Sequence, residues 1–255
     1  MEIILALIMG TFIGAAAGYL GTLMLSKRMA LVAGPLGHLT LPGIALALLF
    51  GFDMSLGAFP FVILGILLIW LFEMKTKLPM EALTAIVFAT GVAITFLFIP
   101  EEKTIPALIG DVSQISLLAV IITSILSLFI IFVTNKIYKK VILTEISQDI
   151  AKTEGLNIKK YNLIYLLCIA LIVSLGVKIV GGLMTAALVA IPACTSRNIS
   201  KNLFQYSYGG LIFGGLSCII GILGFNFTGI PAGLLIVITS AIFFLISLIF
   251  KGRNE

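Results

Sequence analysis

Residues 163–194 read LIYLLCIALIVSLGVKIVGGLMTAALVAIPAC, an apolar run with one charge, Lys178, and one glycine pair, Gly181-Gly182. It is too long for a single upright crossing of about 20 residues and barely long enough for two. As one helix it strands Arg197, Lys201 and the basic residues Lys251 and Arg253 on the face opposite the other basic loops. As two helices, 161–177 and 181–194, turning near residues 178–182, it gathers them on one face. Short cytoplasmic loops carry the excess of lysine and arginine, so two helices are expected. The second is short and holds Pro192, which interrupts the helical ladder.

The same reading extended along the chain gives nine candidate spans, at 3–25, 32–51, 56–72, 81–99, 116–135, 161–177, 181–194, 204–223 and 231–250. With the N-terminus outside and the C-terminus cytoplasmic, 14 of the 16 basic residues fall on the cytoplasmic side; Lys103 and Lys178 do not. The chain is 60% hydrophobic and 11% charged, against about 25% charged in soluble domains. The expectation is an all-α polytopic membrane helical bundle with eight or nine transmembrane helices, one transmembrane domain over residues 1–255. The first span lacks a basic start and is too long for the apolar part of a signal peptide. The net charge of +5 is a topology signal confined to short loops, so no nucleic-acid partner is expected.

Three patterns indicate helix contacts. Gly10, Gly14 and Gly18 recur every fourth residue, and Gly210/Gly214 and Gly229/Gly233 share the spacing. Small residues at this interval let helices approach closely in lipid. Cys168, Cys194 and Cys218 are widely spaced in apolar segments and read as packing residues rather than a disulfide or metal set.

Enzyme signatures are missing from the sequence. There is no phosphate-binding GxxxxGK[ST] loop, no HExxH and no GxSxG elbow. A permease or channel is the better class, with no cofactor of its own. The longest charged loop, 136–160, carries six lysines and three acids. Within it, residues 144–154 are expected to form a short amphipathic helix capped by Thr144, with Ile146 and Ile150 on one face. Glu154 and Gly155 close it, glycine suiting the C-terminal stop. This segment is either a docking helix for a soluble partner or a solvated loop on the lipid surface.

The only histidine, His38, lies in GPLGHLTLPG, residues 34–43, where Pro35, Pro42 and Gly43 break an apolar segment. Proline has no N–H for the carbonyl four residues back; for Pro42 that carbonyl belongs to His38. One residue could thus present imidazole nitrogen and carbonyl oxygen together. Broken helices survive at membrane depth where they line a cavity or lie buried in protein. The alternative is a neutral ring hydrogen-bonded to a neighbouring helix, with the prolines shaping packing.

Several stretches together resemble the membrane permease subunit of ATP-binding-cassette importers for divalent transition metals, the zinc/manganese or ABC-3 type. GHLTLPGIALALL (37–49) is similar to the family's His-x-x-Leu-Pro-Gly helix, and PMEALTAIVFATGVAI (79–94) to its acidic helix. LIGDVSQIS (108–116) is similar to its Phe-Gly-Asp segment. ILTEISQDIAKTEGLNIKKYNLIYL (142–166) resembles the loop that contacts the ATPase. KIVGGLMTAALVAIPACTSRNIS (178–200) and GIPAGLLIVITSAIFFLISL (229–248) resemble later blocks, in the same order. The resemblance implies a pair of permease chains, an ATPase dimer, an extracellular metal-binding protein that delivers the ion, and a zinc or manganese ion as substrate in the cytoplasmic membrane. It implies a path lined by His38, with Glu81 and Asp111 as further candidate ligands, and a coupling element at 142–160. Glu81 also reads as a helix-start carboxylate, and Asp111 as a solvated loop acid. Pro35 stands where family members often carry an acid, which removes a hard anionic ligand. The rival readings are therefore a permease of the same type for a metal chelate or organic cofactor, or a secondary transporter or channel.

Overall fold

Long runs of leucine, isoleucine, valine and phenylalanine, punctuated by proline and glycine, dictate helices that stop where those residues fall. The computed structural model describes residues 2–27, 29, 33–76, 78–98, 115–182 and 184–251. Among them the elements are α1 (Glu2–Ser26), α2 (Ala33–His38), α3 (Leu41–Phe50), α4 (Met54–Thr76), α5 (Met80–Phe98), α6 (Leu117–Ile146), α7 (Gln148–Thr153), α8 (Ile158–Val180), α9 (Thr185–Ile199), α10 (Leu203–Thr228) and α11 (Ala232–Lys251). Backbone groups in lipid must be satisfied within the segment, which helices achieve.

Six of these helices, α1, α4, α6, α8, α10 and α11, are long and apolar enough to cross a membrane. This is fewer than the eight or nine expected. Residues 32–51 do not form one span: they fold as the short helices α2 and α3, parted at Leu39-Thr40. The expected span 181–194 is the 15-residue α9, with Pro192 inside it. In α5 the described apolar stretch is only Ala82–Ala93. Residues 163–194 do part into two helices, α8 and α9, at Gly181, whose φ is +80°.

The core sits between α1 and α8. Met9, Ile13, Leu20 and Leu23 of α1 and Tyr165, Ile169 and Val173 of α8 are fully buried. Helix α1 crosses α10 antiparallel along a glycine seam. A Cβ built on Gly14 would lie 2.4 Å from the Gly214 carbonyl oxygen, and one on Gly18 would lie 2.0 Å from that of Gly210. The four-residue glycine spacing on each helix is thus one shared interface. Gly229 lies in no such seam: it ends α10 in the left-handed region at φ +70°, with nothing within 4 Å of an added Cβ. The outer faces of α6 and α11 present Leu118, Ile125, Phe132, Ile242 and Ile249, all exposed, as a lipid-facing surface requires. All three cysteines are free, Cys168 and Cys218 buried.

Side-chain contacts fix which helix ends lie together. The Lys27 ammonium donates to Asn162 Oδ1 at 2.8 Å, and Asn162 Nδ2 donates to Glu73 Oε2 at 3.2 Å. The ends of α1 and α4 and the start of α8 therefore share one face. At the other face Lys178, near the end of α8, is ion-paired with Asp53, just before α4.

Candidate functional site

Proline and glycine place the break in the middle of the expected second span. Helix α2 stops at His38, and α3 begins at Leu41 with Pro42 in its first turn. There the missing N–H costs nothing, because first-turn donors have no helical acceptor. Pro42 thus starts a second helix rather than bending one continuous helix. The Leu39 N–H reaches the Pro35 carbonyl at 3.1 Å and the Thr40 N–H reaches that of Gly37 at 3.3 Å. The Thr40 hydroxyl donates to the same Gly37 oxygen. These bonds hold the break in shape. Gly37 lies against the Gly182 backbone, where a Cβ would come within 2.3 Å of the Gly182 oxygen. Gly43 makes an equally close approach to Gly57 of α4, 2.0 Å from its oxygen. Each strand of the break is thus seated on a glycine of another element.

The His38 ring is half-buried and packs on Phe88 of α5, centroids 5.2 Å apart and planes at 42°. Among the described residues no group of three or more His, Cys, Asp or Glu side chains is placed to hold a metal ion. Glu81 lies seven residues before Phe88 on α5, about 10 Å along the helix axis at 1.5 Å per residue. Asp111 lies outside the described residues. Beside the break, a cavity of about 370 Å³ opens between α4 and α5, lined by Leu39, Pro42, Phe61, Gly65, Thr90 and Gly91. It is apolar, and His38 is not among its walls.

A second cavity, about 440 Å³, lies between α4, α6 and α8 and ends on the Asp53–Lys178 pair. The topology expected from sequence leaves Lys178 off the cytoplasmic side; it is 8% exposed and bonded to Asp53. Burial pushes the Asp53 carboxyl up, but Lys178 and the N–H groups of Ser55 and Leu56 pull harder and hold it below the usual carboxylate range. Asp53 is missing from the candidates picked out by sequence. The available signal was its position: an acid at the same predicted membrane face as the lone lysine of the long apolar run.

The third feature is the charged hairpin. The segment 136–160 is not a loop but mostly helix. Residues up to Ile146 continue α6, Ser147 interrupts in an extended conformation, and its hydroxyl accepts from the Ile150 N–H to cap α7. The cap is therefore Ser147 and not Thr144, which is buried inside α6 and bonded to the Val141 carbonyl. A serine directly before a helix is a stronger start signal than a threonine one turn earlier. Ile146 ends α6 while Ile150 belongs to α7, so they do not share one helix, yet both stand exposed, at 75% and 51%. Glu154 caps α7, Gly155 turns the chain at φ +71°, and the Asn157 side chain caps α8 by accepting from the Lys160 N–H. Ala151 is the buried anchor of α7. A short helix bearing exposed Ile150, with exposed Ile146 just before it, thus joins two long helices.

The pattern of the ABC 3 transport family matches residues 2–251. The manganese transport system membrane protein MntC of Listeria monocytogenes is 24% identical over 253 residues, covering 98% of this chain and 90% of that protein. The high-affinity zinc uptake system membrane protein ZnuB of Haemophilus influenzae is 26% identical over 254 residues, covering 97% of each. The solved structure of PsaBC from Streptococcus pneumoniae in complex with Fab is similar in fold, with a TM-score of 0.83, 23% identity, and coverage of 98% of this chain and 92% of that one. With a match that runs through the broken helix, the hairpin and the glycine seam alike, the chain belongs to the ABC 3 transport family.

Proposed function

We propose that this chain is the membrane permease subunit of an ATP-binding-cassette importer that moves a divalent transition-metal ion, zinc or manganese, across the cytoplasmic membrane. The observation that carries this is the family match over residues 2–251, with relatives named for manganese and zinc uptake. The whole chain acts as one permease domain, and a second copy completes the path. An ATPase dimer binds the hairpin through Ile146, Ile150, Glu154 and Gly155, and an extracellular metal-binding protein delivers the ion. Hydrolysis belongs to the ATPase, since this sequence has no phosphate-binding loop. The shorter segments α2–α3, α5 and α9 complete the crossings that the shared helix ends require, so the N-terminus is outside and the C-terminus cytoplasmic. The end bearing Lys27 and the hairpin lysines is then the cytoplasmic face.

His38 lines the path at the break and binds the ion transiently, an imidazole suiting zinc better than manganese. Weak binding serves transport, because the ion must also leave. Glu81 and Asp111 are lesser ligand candidates. The experiment is uptake of Zn²⁺ and Mn²⁺ into proteoliposomes holding the complex, with ATP inside. ATP-dependent accumulation of one ion, reduced at least tenfold by His38→Ala at unchanged expression, is the expected result. Normal uptake by His38→Ala removes the ligand role. Uptake of neither ion, with transport of a chelate instead, would favour the chelate reading, which Pro35 and the apolar 370 Å³ cavity support.

A further inference from the structure

The half-buried contacts at the cytoplasmic end include one amide that joins two opposite charges. Lys27, just beyond α1, and Glu73, in the last turn of α4, are not paired directly; the Asn162 side chain stands between them. Its orientation is forced by chemistry. An ammonium can only donate and a carboxylate can only accept, so Oδ1 faces Lys27 and Nδ2 faces Glu73. An amide does both at once through two separate atoms, so it can span the gap between the two charges. Its two bonds run to charged groups, which makes them stronger than ordinary ones.

The position of this amide matters as much as its chemistry. Asn162 lies in the second turn of α8, five residues after the Asn157 cap where the hairpin ends. The same lysine stands 5.0 Å over the ring of Tyr165, one turn further along α8, which is fully buried. The start of the hairpin's second arm is thus held to Lys27 by two contacts. A second tie, Lys140 Nζ to the Tyr161 hydroxyl at 2.9 Å, holds the arms to each other. A displacement of α7 that turns the start of α8 cannot leave both Asn162 bonds intact unless α1 and α4 follow.

We propose that Asn162 is a positioning residue for transport: the Lys27–Asn162–Glu73 relay makes the inner ends of α1 and α4 follow the hairpin, so that hydrolysis on the far side of α7 is converted into helix movement. This rests on the permease reading above. Asn162 touches no transported ion; it acts through the helices it joins.

The test moves the carboxylate rather than deleting it. Asn162→Asp keeps an acceptor for Lys27 but sets two carboxylates against each other. Adding Glu73→Gln supplies an amide donor opposite the new acid, so the pair N162D/E73Q restores every bond with the net charge of the native cluster. In proteoliposomes of the complete complex, ions moved per ATP hydrolysed should fall about 5- to 10-fold in N162D, about the loss expected for one hydrogen bond of ordinary strength. The double variant should return to within about twofold of native. A native ion-to-ATP ratio in N162D, or a double variant no better than the single one, overturns the proposal. So does a change confined to melting temperature with the ratio unmoved, which marks a purely structural role. Should N162D fail to accumulate, Asn162→Ser carries the same test, with loss of coupling expected and no rescue by E73Q. A native complex that moves no ion on ATP overturns the permease reading itself, and this inference with it.

Discussion

Gly214 and Gly215 are neighbours on α10, yet an added methyl group meets opposite surroundings at the two. At Gly214 a Cβ would stand 2.1 Å from the Gly14 carbonyl oxygen; at Gly215 nothing lies nearer than 3.7 Å. Ordinary contact begins near 3.4 Å, so in Gly214→Ala α1 and α10 must part by about 1.3 Å, the difference between the two distances. A gap of 0.5–1 Å forfeits a quarter to a half of each dispersion contact of about 0.1–0.2 kcal/mol. If the seam carries about 50 atom pairs, as one buried leucine does, the loss is about 1–5 kcal/mol, in line with about 1–3 kcal/mol for overpacked cores. Gly215→Ala meets no obstacle and gains up to about 1 kcal/mol of helix preference, less in a membrane where the unfolded helix persists. The expected contrast is therefore about 2–3 kcal/mol between adjacent residues. Buried free thiols at Cys168 and Cys218 provide the assay, since a thiol-reactive dye labels them only as the protein opens on heating. At about 2–4 °C per kcal/mol for a chain of this size, Gly214→Ala should melt about 4–8 °C below native and Gly215→Ala at or above it. Equal shifts in the two variants would refute the close-packed seam.

Pro42→Ala should leave stability within about 1 kcal/mol of native, because proline in a first turn blocks no helical bond, while altering uptake kinetics by freeing the backbone angle that proline fixes at the start of α3. Unchanged kinetics would show that this fixed helix start is irrelevant to transport. Asp53→Asn should destabilise by about 3 kcal/mol, the lower end for a broken buried pair, since the Asp53 side chain keeps 31% exposure, and D53N/K178M should recover most of it. Because the Asp53 carboxyl is depressed on folding, its contribution is present above the unfolded value of about 3.9 and lost only as pH falls below that, so melting temperatures of native and D53N should converge in acid and stay parallel from about pH 5 to 8. In the hairpin, Ile150→Ser should leave the melting temperature unchanged while reducing ATPase capture, and Gly155→Ala should cost about 1–2 kcal/mol for its left-handed backbone and raise ATP used per ion; a protein unaffected in both respects would mean that α7 is not the ATPase contact.

What could be read from the sequence was what a single segment carries in itself. The apolar runs at 3–25, 56–72, 116–135, 161–177, 204–223 and 231–250 correspond to α1, α4, α6, α8, α10 and α11, because hydropathy alone dictates burial in lipid or core. The turn at Gly181 was legible from a glycine pair beside a lysine. Where helix continues through polar residues, hydropathy misleads: α6 runs on to Ile146 through NKIYKKVILTEI because lysine, leucine and glutamate favour helix as readily in water as in lipid. In residues 32–51 the break at 34–43 was legible from its prolines and glycines, but not that α2 would end at His38 and α3 restart at Leu41 as a separate helix. Long-range pairs were invisible for a different reason. Lys178 and Asp53 lie 125 residues apart, and Lys27 and Asn162 lie 135 apart, so nothing local in either partner announces the other.

Those pairs give α8 a role that its sequence does not hint at. At 23 residues and 1.5 Å each it is about 34 Å long, enclosed on most sides, and tied at both ends. At its start, Asn162 engages Lys27 and Glu73 beside the hairpin; near its end, Lys178 engages Asp53, and Gly182 just beyond it seats Gly37, next to His38. A continuous hydrogen-bonded helix does not shorten or stretch, so displacement at one end must appear at the other. At Leu39-Thr40 the ladder between α2 and α3 is replaced by the bonds at Gly37 and Pro35. On the permease reading proposed above, a rigid strut seated on that break would carry small movement at the hairpin to the surroundings of one imidazole, and the Asn162 and His38 variants together test that link.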